Sequence, residues 1–146
     1  MSTRSTVVMA TLAASLCLGL AQARADFCLN GVVNGTDSFF FRFDGKYPTK
    51  PDKVTKLNGK VLSVESAAIT DRGPAYGQIL GLPEGDAGNS LGISFAFSSN
   101  KVGQASIVLD DNNKMSGAGT VFLTDSGGTI PFSVTADIVD CATEPT

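Results

Sequence analysis

The 146-residue chain contains no histidine and no tryptophan, and only 17% of its residues are charged. Without imidazole there is no Ser-His-Asp or Cys-His relay, no histidine-ligated zinc, copper or haem, and no side-chain switch with an ordinary pKa near neutrality. Many hydrolases and oxidoreductases are thereby excluded, and no cofactor or metal is expected. Phosphate-cradling loops are missing too. The one G-x-G, Gly117-Ala118-Gly119, lies in a strand-like run and not at a strand-to-helix turn. After Leu20 no apolar run approaches the ~20 residues that a membrane-crossing helix needs, so no transmembrane segment is expected.

What is present begins with an export signal. Arg4 supplies a positive start, Val7 to Leu20 is an apolar stretch of 14 residues, and Ala23-Arg24-Ala25 offers small residues at alternate positions. Leu16 before Cys17 does not suit lipoprotein processing. The expectation is a cleaved signal over 1–25 and one mature domain over 26–146, with a periplasmic or extracellular destination. The mature segment carries nine basic against fourteen acidic side chains, a net charge of −5. That balance argues against general nucleic-acid binding, which needs a basic surface to release counterions.

Cys28 and Cys141 are the two cysteines of the mature segment, one near each end. In an oxidising compartment they predict a disulfide, which would hold their Cα atoms within about 7 Å of each other. Closing so long a loop stabilises a fold by roughly 4 to 5 kcal/mol in the loop-entropy description. As a free thiol, neither has a histidine to activate it.

Helix signals are nearly absent beyond Ala25. Strands are predicted near Ser38 to Asp44, Val54 to Val64, Ala75 to Leu82, Ser90 to Ser98, Gly103 to Asp110, Met115 to Thr124 and Thr129 to Val139, with Phe27 to Val33 as an eighth. Turn-rich segments separate them: Asp71 to Pro74, Pro83 to Asn89, Ser99 to Lys101, Asp110 to Lys114 and Asp125 to Gly128. Period-two patterning is clearest in Leu91, Ile93, Phe95 and Phe97, and again from Ile130 through Phe132, Val134 and Ala136 to Ile138. Phe39, Phe41 and Phe43 repeat it, but Phe40 breaks it, which predicts apolar contact on both faces of that strand. Pro131 cannot donate to a ladder and marks an edge position or a bulge.

About eight strands in a meander with pinned ends predict an all-β fold, a small antiparallel up-and-down β-barrel that is lipocalin-like in broad architecture. A β-sandwich is the alternative. Gly117 and Gly119 lie on the face of Met115, where they serve either tight strand curvature or open interior space. Asn58-Gly59 is a hairpin signal, yet a two-residue turn there would pair Leu57 with Lys60, so a continuous strand with a glycine bulge is expected. Asn34-Gly35-Thr36 is both a hairpin signal and a glycosylation sequon, the latter meaningful only in a eukaryotic secretory route.

Two functional surfaces emerge. Phe39, Phe41, Phe43, Phe95, Phe97, Met115 and Phe132 on inward faces suggest an interior that holds a small apolar molecule, although eight-stranded barrels also fill with side chains alone. The stretch from Arg42 to Lys60 holds six basic and two acidic side chains, a local +4 against −9 for the rest of the mature chain. Arg42, Lys46, Tyr47, Lys50 and Lys53 therefore define a candidate loop for an anionic ligand or a protein partner. A plainly solvated loop that protects a strand edge is the simpler reading. The carboxylates of Asp71, Glu84, Asp86, Asp110, Asp111 and Asp125 fall in predicted turns, where turn formation accounts for them better than catalysis or calcium binding. A non-enzymatic binding module is the expectation, for a small apolar ligand or, alternatively, for another protein as an inhibitor or envelope accessory protein would bind one.

Overall fold

The computed structural model describes residues 26–46, 53–80, 90–97, 99–109 and 114–146. The predicted signal segment, and Tyr47, Lys50, Glu84, Asp86, Asp110 and Asp111, lie outside the described residues. Eight strands follow in chain order: β1 (Phe27–Asn34), β2 (Asp37–Phe43), β3 (Val54–Glu65), β4 (Ala68–Leu80), β5 (Ser90–Phe97), β6 (Lys101–Leu109), β7 (Met115–Leu123) and β8 (Thr129–Val139). Each pairs antiparallel with its sequence neighbour, and β1 pairs with β8, so the sheet closes into a barrel. The sandwich alternative is thereby set aside.

Register fixes the geometry of closure. A row of paired residues that starts at Val54 passes through Leu80, Ser90, Val108, Ser116, Thr135, Val32 and Ser38 and returns to β3 at Val64, ten residues along. Eight strands with that offset tilt strongly against the barrel axis and enclose a narrow interior, which here is occupied by side chains. The stagger also leaves single-sided stretches at the strand ends. Pro131 lies where β8 pairs with β7 but not with β1, as its missing N–H requires. Pro74 sits one residue outside the β4–β5 register for the same reason.

That placement corrects one expectation: Asp71 to Pro74 is not a connection but the middle of β4. The turn falls at Ser66 and Ala67, both in the left-handed region at φ 50° and 65°. Glycine or asparagine usually fills such positions, so composition concealed it. The Asn58-Gly59 stretch is continuous strand as expected, but without a bulge there. Asn58 faces Tyr76 and Gly59 faces Ala75 in regular register, and the irregularity is at Ser63 and Val64. Gly59 is needed for close approach instead, since a Cβ there would lie 2.0 Å from the Arg42 carbonyl oxygen.

Alternate residues of every strand point inward and form one core from Phe27, Leu29, Phe41 and Phe43 through Leu91, Ile93, Phe95 and Ile107 to Met115 and Val134. On β8 only the middle of the apolar face is covered, because Ile130 and Ile138 stand near the strand ends at 51% and 45% exposure. Gly119 does not open interior space: its missing side chain is replaced by the Phe132 ring, 2.4 Å from where a Cβ would stand. Gly103 lies beneath the Phe95 ring in the same way, at 2.2 Å.

Phe40 does face outward and is buried there with Cys28 and Leu62, beside Ile69, Val139 and Cys141. The cover is the C-terminal tail, which makes a single 3₁₀ turn over Cys141–Thr143 with Asp140 capping the Ala142 N–H at 2.9 Å. Cys28 and Cys141 are disulfide-bonded with Cα atoms 5.2 Å apart.

Two stability predictions follow from these contacts. Replacing Ser66 by Asn together with Ala67 by Gly relieves two left-handed residues and raises unfolding free energy by about 1–2 kcal/mol in urea titrations. Gly103→Ala drives a methyl group into the Phe95 ring and lowers it by about 1–3 kcal/mol.

Candidate functional site

The inward aromatic side chains pack against one another, with Phe39 at their centre. Its ring centroid is 5.3 Å from Phe95, 5.3 Å from Phe132 and 5.7 Å from Phe97. Phe41 and Phe43 stack in parallel at 6.0 Å, and Phe27 meets Phe43 at 5.2 Å. The proposed apolar-ligand residues Phe39, Phe41, Phe43, Phe95, Phe97, Met115 and Phe132 are thus brought together, and they are brought together as each other's packing partners. Such offset and edge-on pairs add about 0.5–1.5 kcal/mol each beyond the area they bury.

The basic stretch is divided by the fold. Arg42 and Lys60 project from adjacent positions of β2 and β3 on the outer wall, where the tail crosses. Arg42 donates to Asp26 Oδ2 from Nε at 2.8 Å and to Glu144 Oε2 from Nη1 at 2.8 Å, while Lys60 Nζ bonds the other Glu144 oxygen. Glu144, then Asp26, raises the pKa of the Arg42 guanidinium above its ordinary value. Glu144 is held below the ordinary carboxylate range, first by the hydrogen bond from Lys60 and then by Arg42, against the cost of its partial desolvation. The four residues act as a clasp that fastens the tail over Phe40. Lys46 and Lys53 remain exposed, beyond the end of β2 and before β3. Tyr47 and Lys50 fall outside the described residues.

Asp71, expected in a turn, is buried on the inward face beside Ser63, where it accepts from Ser99 Oγ and from the Arg72 N–H at 2.9 Å. Among the described residues no group of three or more His, Cys, Asp or Glu side chains is placed to hold a metal ion. No described helix is long and apolar enough to cross a membrane.

Three concavities stand out among the described residues, and all open on the outer wall. The largest, about 710 Å³, is a groove across β4, β5, β6 and β7. Two rows of outward residues cross it: Tyr76, Ser94, Gln104 and Thr120 in one, and Gln78, Gly92, Ser106 and Ala118 in the other. None carries a formal charge at neutral pH. Tyr76 is 57% exposed and also borders a second hollow of about 330 Å³ beside Arg42, Asn58 and Lys60. A third, about 350 Å³, lies between the C-terminal residues and β3–β4. Sequence reasoning missed the groove because these residues looked like the idle face of each strand. The signal, a lack of charge at outward positions, accumulates only when register sets four strands side by side.

No family model, curated protein or solved structure matches this chain.

The clasp sets a pH dependence. A depressed carboxylate pKa contributes stability above the unfolded value, and that stability is lost as pH falls through the folded one. Wild type should therefore exceed Glu144→Gln by about 0.5 kcal/mol at pH 7, the scale of a solvent-screened ion pair. The gap should close as pH falls below the ordinary glutamate range near ~4.3, as read by denaturant titration at each pH.

Proposed function

We propose that this protein is a non-enzymatic binding module that meets its partner on the outside of the barrel wall, at the groove across β4–β7. The observation that carries this reading is the contrast between the two sides of the sheet: inward, aromatic rings occupy the space where a small apolar ligand would sit, whereas outward a concavity of about 710 Å³ is open. A disulfide between the two ends suits a scaffold used outside the cytoplasm, in keeping with an export signal over 1–25. The rigidity of a closed sheet supports the reading as well, since strands hold a binding face with little ordering cost on association.

The buried carboxylate of Asp71 is committed to Ser99 and the Arg72 N–H, and the half-buried Asp26 and Glu144 are committed to the clasp. Those partners favour binding over acid-base chemistry.

Hydroxyl-radical footprinting tests the site. The disulfide-bonded protein is oxidised in buffer and in an extract of its own compartment, and the two patterns are compared by mass spectrometry. Protection of peptides carrying Tyr76, Gln78, Gln104 and Ser106 in extract is the expected result. Protection confined to other surfaces, or none, overturns the reading.

A further inference from the structure

The groove's lining is selective in its chemistry. Charge on the outer wall gathers on other strands, with Lys56 and Lys60 on β3, Arg72 in the first half of β4 and Asp137 on β8, while the row beside the groove, Val102 and Phe122, is apolar and partly exposed. Inside the groove the functional groups are two amides (Gln78, Gln104), three hydroxyls (Ser94, Ser106, Thr120) and the phenol of Tyr76. None of their side chains hydrogen-bonds another described residue, so their donors and acceptors are available to a ligand. The remaining outward positions are Gly92 and Ala118, which keep the floor low, and between the two rows runs the backbone of Gly77, Ile93, Ala105 and Gly119.

Each feature removes a class of ligand. A phosphate, carboxylate or nucleic acid needs cationic partners, and the groove offers none. Lysine stands only at the margin, where Lys56 pairs with Gln78 across β3–β4. A lipid or apolar peptide needs continuous apolar lining, which hydroxyls and amides interrupt. Amides and hydroxyls both donate and accept, and so match a ligand whose own groups do both. An exposed tyrosine ring adds a flat apolar face beside a polar tip. The four strands span about 14 Å at ~4.8 Å per strand, which gives room for several linked rings lying across them.

We propose that the groove is a subsite for a neutral carbohydrate, a short uncharged oligosaccharide or the end of a longer glycan. Its ring faces stack on Tyr76 and its hydroxyls are read by Gln78, Gln104, Ser94, Ser106 and Thr120. This rests on the outer-wall reading above and names the class of partner for that same site. Gly92 provides a clean block: a Cβ added there meets nothing within 4 Å, and its backbone does not lie in the left-handed region, so a larger residue fills the groove without disturbing the barrel.

The test is an amide NMR titration of the disulfide-bonded mature chain. The probes are neutral oligosaccharides of β-linked glucose, α-linked glucose and N-acetylglucosamine, with sulfated and uronate oligosaccharides as charged controls. At least one neutral probe should give saturable shifts centred on Tyr76, Ser94, Gln104 and Thr120. Affinity should fall at least tenfold in Tyr76→Ala and in Gly92→Leu, with far-ultraviolet dichroism and melting temperature unchanged in Gly92→Leu. The proposal is overturned if no neutral probe shifts these amides, if charged probes do so as strongly, or if Gly92→Leu binds undiminished. Should the carbohydrates fail while extract footprinting still protects the groove, the ligand class is wrong and the outer-wall site stands. Should protection fail as well, both fall.

Discussion

The closed β1–β8 seam is the constraint from which the rest follows. Joining eight strands with an offset of ten residues sets the barrel's width, and that width admits one layer of large side chains from each wall. Phenylalanine supplies the largest single share of the volume, and glycines at Gly103 and Gly119 make space for the rings of Phe95 and Phe132 on neighbouring strands. A barrel filled this way gains stability from the side chains of its interior. In the proposed reading, recognition belongs to the outer wall over β4–β7, whose outward side chains line the groove.

The seam is reinforced from outside by a second, smaller cluster. The disulfide ties the start of β1 to the chain just beyond β8, and the tail continues over Phe40 and Leu62 to deliver Glu144 to Arg42 and Lys60. Two of the six basic side chains in the run, Arg42 and Lys60, are thereby answered by acids elsewhere along the chain. Arg42 lies 16 residues from Asp26 and 102 from Glu144. Along the sequence the charge run reads as a solvated loop or, alternatively, a ligand-capturing one, whereas in three dimensions its first and last members, Arg42 and Lys60, are structural.

Much of the fold was legible because strand periodicity is a local property. Leu91, Ile93, Phe95 and Phe97 reveal their inward face without reference to any other strand, and Phe40 announces a second buried surface by breaking the alternation. The β3–β4 hairpin was hidden because its turn at Ser66 and Ala67 lacks the residues that usually adopt left-handed φ, while Asp71 to Pro74 carries turn-like composition inside a strand. The groove was hidden for another reason. Its rows are made by register between strands, and Tyr76 and Thr120 become neighbours on one surface only after β5 and β6 are placed between them.

The outer-wall reading depends on an interior filled by side chains. Xenon enters apolar cavities large enough to receive it and shifts the resonances of their lining groups. Methyl and aromatic spectra of the disulfide-bonded chain under rising xenon pressure should show only small linear drifts at Met115, Val121, Val134, Phe39 and Phe132. Saturable shifts at those residues would reveal an accessible apolar hollow and contradict the filled interior.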